Sequence, residues 1–156
     1  MGLWGKKDGV WYRTAEFYYD ARKMHRQKTD EEYADALAEL AGGRDIRAVI
    51  VDPAAASFIE TLRRRGWRVR RADNRVLSGI RLTARLLKAG KLVICPGCGD
   101  AIREFALYRW EEQGDGQDRV RKENDHAMDE IRYFAATVAE RKGGGVYAGC
   151  VERGRF

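Results

Sequence analysis

The stretch IRAVIVDPAAASFIETLRRRGWRVRRADNR, residues Ile46 to Arg75, decides the fold. IRAVIV is a short apolar, β-branched run of the kind that a sheet buries on both faces. Asp52-Pro53 ends it and opens a helix predicted to run to about Arg65, where Gly66 stops it. WRVRR then reads as another strand. A strand, a helix and a strand in so short a span form the repeating unit of an α/β sheet. Asp52 falls at the carboxyl end of the first strand, where open α/β sheets place functional groups. Aspartate before proline is also a good N-cap, and this segment alone does not separate the two roles.

Working outward, the same alternation continues. Leu3-Trp4, a GKKDG turn and the aromatic run VWYRTAEFYY read as opening β structure. The linker DARKMHRQK leads to Thr29-Asp-Glu-Glu32, which has capping-box spacing. Tyr33, Ala36, Leu37 and Leu40 recur at helical period before Gly42-Gly43. RVLSGIRLTARLLKAG is an amphipathic helix ending at Gly90, and KLVI is a short strand. Ile102, Phe105, Ala106 and Trp110 mark another helix, EEQGDGQD a polar loop, and a last helix runs from near Asn124 to about Arg141. From KGGG onward the chain reads as a poorly ordered tail. The expected architecture is a single α/β domain over residues 1–141 with a flexible tail over 142–156.

Thirty Lys+Arg against 24 Asp+Glu give a net charge of +6, with 44% hydrophobic residues. This composition is globular, and no apolar run approaches the roughly 18–20 residues of a membrane-spanning helix. MGLWGKKDGV has no apolar core of a signal peptide, so the expected location is a cytoplasm without membrane attachment. The positive charge concentrates in RRRGWRVRRADNR. Arg68, Arg70 and Arg71 there are candidates for phosphate contact, although a solvated helix end and strand edge have the same composition. Of the three cysteines, Cys95-Pro-Gly-Cys98 is a lone CxxC. It lacks the four ligands of a structural zinc site and reads as ordinary reduced thiols in a turn.

The second constellation is KENDHAMDEIRY, Lys122 to Tyr133. At about 100° per residue, Ala127, Met128, Ile131, Phe134, Ala135 and Val138 share one arc of a helix. Lys122, Asp125, His126, Asp129 and Tyr133 share the other. Asp125, His126 and Asp129 lie within one turn and can converge. A wet helix face has the same wheel. Taken with Asp52, however, the acids make the oxygen-rich set that Mg²⁺ or Mn²⁺ prefers, and two such ions can clamp a phosphodiester. A histidine beside the last acid could ligate Mn²⁺ or handle a proton.

VDPAAASFIETLRRRGWRVRRADNRVLSGIRL, REFALYRWEE and VRKENDHAMDEIRYF together resemble the C-terminal nuclease domain of the large terminase subunit of tailed bacteriophages and prophages. The order of motifs carries the resemblance: a strand ending in Asp-Pro, Ala-Asp-Asn with a Gly-Ile helix, Tyr-x-Trp, then Asp-His-x-x-Asp before Arg-Tyr. It runs from about Leu3 to Phe134. It implies an RNase H-like mixed sheet flanked by helices, and two-metal cleavage of concatemeric double-stranded DNA during genome packaging. Asp52 corresponds to the second acidic ligand and Asp129 to the last, with His126 as its companion. Asp125 and Lys122 belong to the motif as a further ligand and a DNA contact. Asp73 and Asn74 match a signature without an assigned chemistry. The implied partners are double-stranded DNA, a terminase ATPase domain, a small terminase subunit and a portal.

Two departures qualify the match. The family's first strand, which carries an ion-bridging aspartate in the middle of the sheet, has no counterpart before Leu3, and neither Asp8 nor Asp20 replaces it. The expected result is a sheet lacking its central strand, with unpaired backbone on the neighbouring strands. No phosphate loop of the form G-x-x-x-x-G-K-[ST] occurs, so a translocating motor would lie elsewhere. The alternative reading is a non-catalytic DNA- or portal-binding remnant of the packaging machinery. Another RNase H-like nuclease, such as a junction resolvase, fits the Tyr-x-Trp and Asp-His-x-x-Asp motifs less well.

Overall fold

The computed structural model describes residues 1–107, 110–111, 119–120, 126–139 and 145–150, with the backbone alone at 110–111 and 119–120. Asp8 and Gly9 both take positive φ (50° and 80°), which matches a type I′ turn. That turn joins β1 (Gly2–Lys7) to β2 (Val10–Glu16) as an antiparallel hairpin. α1 (Asp30–Ala41) starts at the capping box as expected. Glu32 N–H donates to Thr29 Oγ1 at 3.2 Å, and Thr29 N–H donates to the Glu32 carboxylate at 2.8 Å. β3 (Ile46–Val51), α2 (Ala56–Arg64) and β4 (Val69–Arg71) follow, with β3 and β4 parallel. Then come α3 (Val76–Lys88), β5 (Leu92–Ile94), α4 (Gly99–Leu107) and the small pair β6 (Trp110–Glu111) and β7 (Arg119–Val120). α5 (His126–Phe134) runs on as a π-helical turn over Ala135–Ala139, and β8 (Val146–Cys150) is the last described strand.

The main sheet has six strands in the order β4-β3-β8-β1-β2-β5. It is mixed: β8 is parallel to β3 and antiparallel to β1, and β5 is parallel to β2. The α/β architecture with helices on the sheet is thus as expected. One face of the sheet carries Leu3, Val49, Val51, Ala148 and Cys150 against Leu37, Phe58 and Leu62 of α1 and α2. The other carries Trp4, Trp11, Ile50 and Tyr147 against Leu86, Ala101, Ile131 and Phe134 of α3, α4 and α5. Trp4 stacks on Phe134 with ring centroids 4.1 Å apart, and Trp11 meets that ring edge-on at 5.1 Å. No helix among the described residues is long and apolar enough to cross a membrane.

Three sequence expectations need correction. Residues 146–150, placed in a flexible tail, form β8 in the middle of the sheet. The expected gap is therefore filled, and β3 has a partner on each side. The reason lies beneath the sheet. Glu130 of α5 is fully buried, and its carboxylate accepts from Trp4 Nε1 at 2.7 Å and Arg13 Nε at 2.9 Å. Gly149 and Gly2, paired across β8 and β1, leave it that space. A Cβ on Gly149 would collide with Glu130 Oε1, and one on Gly2 would come within 2.5 Å of Oε2. Gly149, inside the segment read as a tail from KGGG onward, is what this seat requires. Second, α2 begins at Ala56, not at Pro53, and its N-cap Ala55 makes no side-chain capping bond. Asp52 closes a tight turn, its Oδ1 accepting from Ala54 N–H at 2.9 Å. Third, α4 ends at Leu107, and Trp110 lies in β6.

Candidate functional site

Asp52 follows directly on β3, is 7% exposed, and lies on the α5 side of the sheet. One of its oxygens is held by the turn just described. The other, Oδ2, accepts from the Tyr133 hydroxyl of α5 at 2.5 Å. Burial pushes the Tyr133 phenol well above its ordinary range, and the bond to Asp52 adds to that. The phenol is therefore a permanent donor at any ordinary pH.

Asp129 lies one turn earlier on α5 and is half-buried. Its Oδ1 accepts from Arg132 Nη2 at 2.6 Å and from Nε at 3.2 Å. Arg132 itself is buried, and its Nη1 donates to the carbonyls of Asn74 at 2.9 Å and Arg75 at 3.3 Å. Burial opposes the charge on this guanidinium, but its contacts with Asp129 and Tyr133 together outweigh it and keep its pKa raised. The guanidinium lies 4.6 Å from the centre of the Tyr133 ring. Two consecutive residues, Arg132 and Tyr133, thus tie Asp129 to Asp52 across the helix–sheet boundary.

The loop before α3 is held to the same helix. Asp73 N–H donates to Thr137 Oγ1 at 2.9 Å in the π-helical turn, a local widening often found at functional sites. The Asp73 carboxylate pairs with Arg75 at 2.6 Å, which holds it at about 2. The Ala-Asp-Asn signature therefore shapes the loop that receives Arg132. The start of α5 is fixed from α4. Glu104, fully buried, accepts from Ala127 N–H at 2.7 Å and Met128 N–H at 3.3 Å, and from the Tyr18 hydroxyl at 2.8 Å. Burial raises its carboxyl pKa, although these three donors pull the other way.

Of the residues singled out from sequence, Asp52 and Asp129 are brought to one region. His126 opens α5 and is exposed. Asp125 and Lys122 lie outside the described residues. Among the described residues no group of three or more His, Cys, Asp or Glu side chains could hold a metal ion. Asp52 and Asp129 alone still fit the oxygen chemistry of Mg²⁺ or Mn²⁺, because Mg²⁺ usually takes one or two carboxylates and completes its shell with water and substrate phosphate. Arg68 is exposed ahead of β4. Arg70 pairs with Ile50 and so shares the sheet face of Asp52, whereas Arg71 pairs with Val51 and faces the other way. The cationic segment is thus split between two faces. Burial raises the Cys98 thiol, and Cys95 and Cys98 close a turn through Cys98 N–H to the Cys95 carbonyl at 2.9 Å. That matches ordinary thiols in a turn.

Sequence reading missed Arg132 and Glu104 as site residues and assigned Tyr133 to the wet arc. The available signal was the Arg-Tyr pair itself, since each side chain reaches a different acid.

The chain is similar to crystal structures of the large terminase from a thermophilic bacteriophage. The ADP complex matches with 41% identity and a TM-score of 0.87 over 90% of this chain. Another structure of that terminase and its ATP-gamma-S complex each match at 42% identity and a TM-score of 0.85 over 88%. The chain spans only 36% of the length of that terminase. No protein-family model matches the chain, nor does any curated protein.

Proposed function

We propose that this chain, with its 41% identity to a phage large terminase, is the nuclease portion of a DNA-packaging terminase. In this reading the fold is RNase H-like and cuts concatemeric double-stranded DNA with two Mg²⁺ or Mn²⁺ ions. The observation that carries it is the joining of Asp52 and Asp129, at the carboxyl end of a central strand, through Tyr133 and Arg132. When bound, the ions would supply a metal-activated nucleophile and stabilise the leaving oxygen. Asp52 and Asp129 would hold them, with Asp125 as a further ligand and His126 beside them as ligand or proton carrier. Arg68, Arg70, Arg71 and Lys122 would contact phosphates. An ATPase domain, a small terminase subunit and a portal would be its partners.

The test is cleavage of supercoiled plasmid in Mn²⁺ by this chain, by Asp129→Asn and in the presence of EDTA. Cutting that needs the metal and is lost in the variant supports the reading. No cutting by the folded chain overturns it. In that case a non-catalytic DNA- or portal-binding element is the better account. One observation already favours that second reading: both acids have internal partners, and no third ligand stands with them among the described residues.

A further inference from the structure

Arg132 is the least expected feature of the site. A long cation is almost wholly buried beside a candidate metal ligand, where a plain ion pair would gain little from burial. Its contacts are divided. The Nε and Nη2 edge goes to Asp129, and Nη1 goes to the two loop carbonyls of Asn74 and Arg75. The stem fits into α3 through a slot at Gly79, where an added Cβ would stand 2.7 Å from Arg132 Cγ. Both bonds to Asp129 fall on Oδ1, so the guanidinium holds one oxygen of this carboxylate and makes no hydrogen bond to Oδ2.

We propose that Arg132 is a positioning residue. By pinning Oδ1 of Asp129 and anchoring the loop at Asn74 and Arg75, it presents the second oxygen of Asp129 to a divalent cation. This rests on the metal-dependent reading above and assigns a purpose to Gly79 and the Ala-Asp-Asn loop. Outer groups that orient a ligating carboxylate typically change metal affinity by about 10–100-fold when lost. A lysine at this position keeps the charge but cannot fork between one carboxylate oxygen and two carbonyls. The opposite role is a stand-in cation that competes with the metal for Asp129, and it predicts the opposite sign.

The experiment is calorimetric titration of the whole chain with MnCl₂ in the absence of DNA, alongside thermal unfolding of the metal-free protein. The proteins are wild type, Arg132→Lys, Arg132→Gln, Gly79→Ala and, as a control, Asp129→Asn. The expected result is Mn²⁺ binding weakened about 10-fold or more in both Arg132 variants and also in Gly79→Ala, which keeps every charge. Unchanged affinity in folded variants would leave Arg132 a purely structural strut and overturn the inference. Tighter binding in Arg132→Gln would make it a competing cation and also overturn it. Wild type that binds no Mn²⁺ would overturn the metal reading itself and this inference with it. Wild type that binds but does not cut plasmid would overturn the nuclease reading alone.

Discussion

Glu130 points under the centre of the sheet, where Trp4 and Arg13 donate to it, whereas Asp129, one residue earlier on α5, stays partly open beside Arg132. Each acid has an arginine, but the surroundings differ. The Glu130–Arg13 pair is dry on both sides, at 1% exposure each, and extends through Arg13 to Glu16, which in turn accepts from the first turn of α4. The Asp129 side chain keeps 28% exposure while its arginine keeps 5%. A buried pair whose every oxygen is matched by a fixed donor defines the fold, because losing one partner leaves the other charge stranded. A pair with one wet member leaves a carboxylate available to something that arrives. The difference teaches that α5 builds the core with one acid and leaves its neighbour open to solvent.

The sharpest way to break that comparison is Glu130→Ala. It should strand Arg13 and cost about 3–5 kcal/mol, read as a lower urea midpoint, with cleavage lost through unfolding. An unchanged midpoint would mean that the dry pair does not define the fold. Tyr133→Phe comes next. It removes a hydrogen bond to a charged, buried acceptor and should cost about 1.5–3 kcal/mol in the same measurement. Asp129→Asn should cost less than Glu130→Ala, because an amide oxygen can still accept from Arg132 and the carbonyls of Asn74 and Arg75 still hold its Nη1, yet it should remove metal-dependent plasmid cutting. A large stability loss there would make the two acids alike after all.

The smallest effect concerns pH. The folded-state pKa of Glu104 is raised above its unfolded value, so its protonated form favours the fold. That contribution is full below the unfolded pKa and fades as pH rises through the folded one. Glu104→Gln should therefore flatten the decline in melting temperature across that window. An amide there can still accept from the start of α5 and donate to Tyr18.

Much of the frame was readable from local chemistry. Asp8-Gly9 needed only its turn preference, α1 only its capping box and glycine, and β3 only its β-branched run. β8 was not readable, because the reason for Gly149 is Glu130, a contact between residues that sequence order keeps apart. Trp110 likewise looked like the end of a helical stripe. For the candidate site, the place of Asp52 after a strand was legible from IRAVIV and Asp-Pro, and that of Asp129 on a helix from its spacing. Tyr133 was not. A helical wheel assumes one covered face, but α5 lies on the sheet with α3 and α4 beside it, so nearly its whole circumference is buried. Arg132 was hidden for the same reason: an arginine on such a wheel is read as solvated.

The placement of β8 also has a kinetic consequence. Gly2 pairs with Gly149, and β3 pairs with β8, so the centre of the sheet joins the earliest and the latest described residues. While the chain is being made, the β1–β2 hairpin and the β3–α2–β4 unit can form, but they remain two halves without the strand between them. The seam closes only after Cys150 has left the ribosome, and such long-range closure makes folding slow and late. Until then the edges of β1 and β3 stand open to any other extended segment, and a holdase that covers them should raise the yield of folded protein.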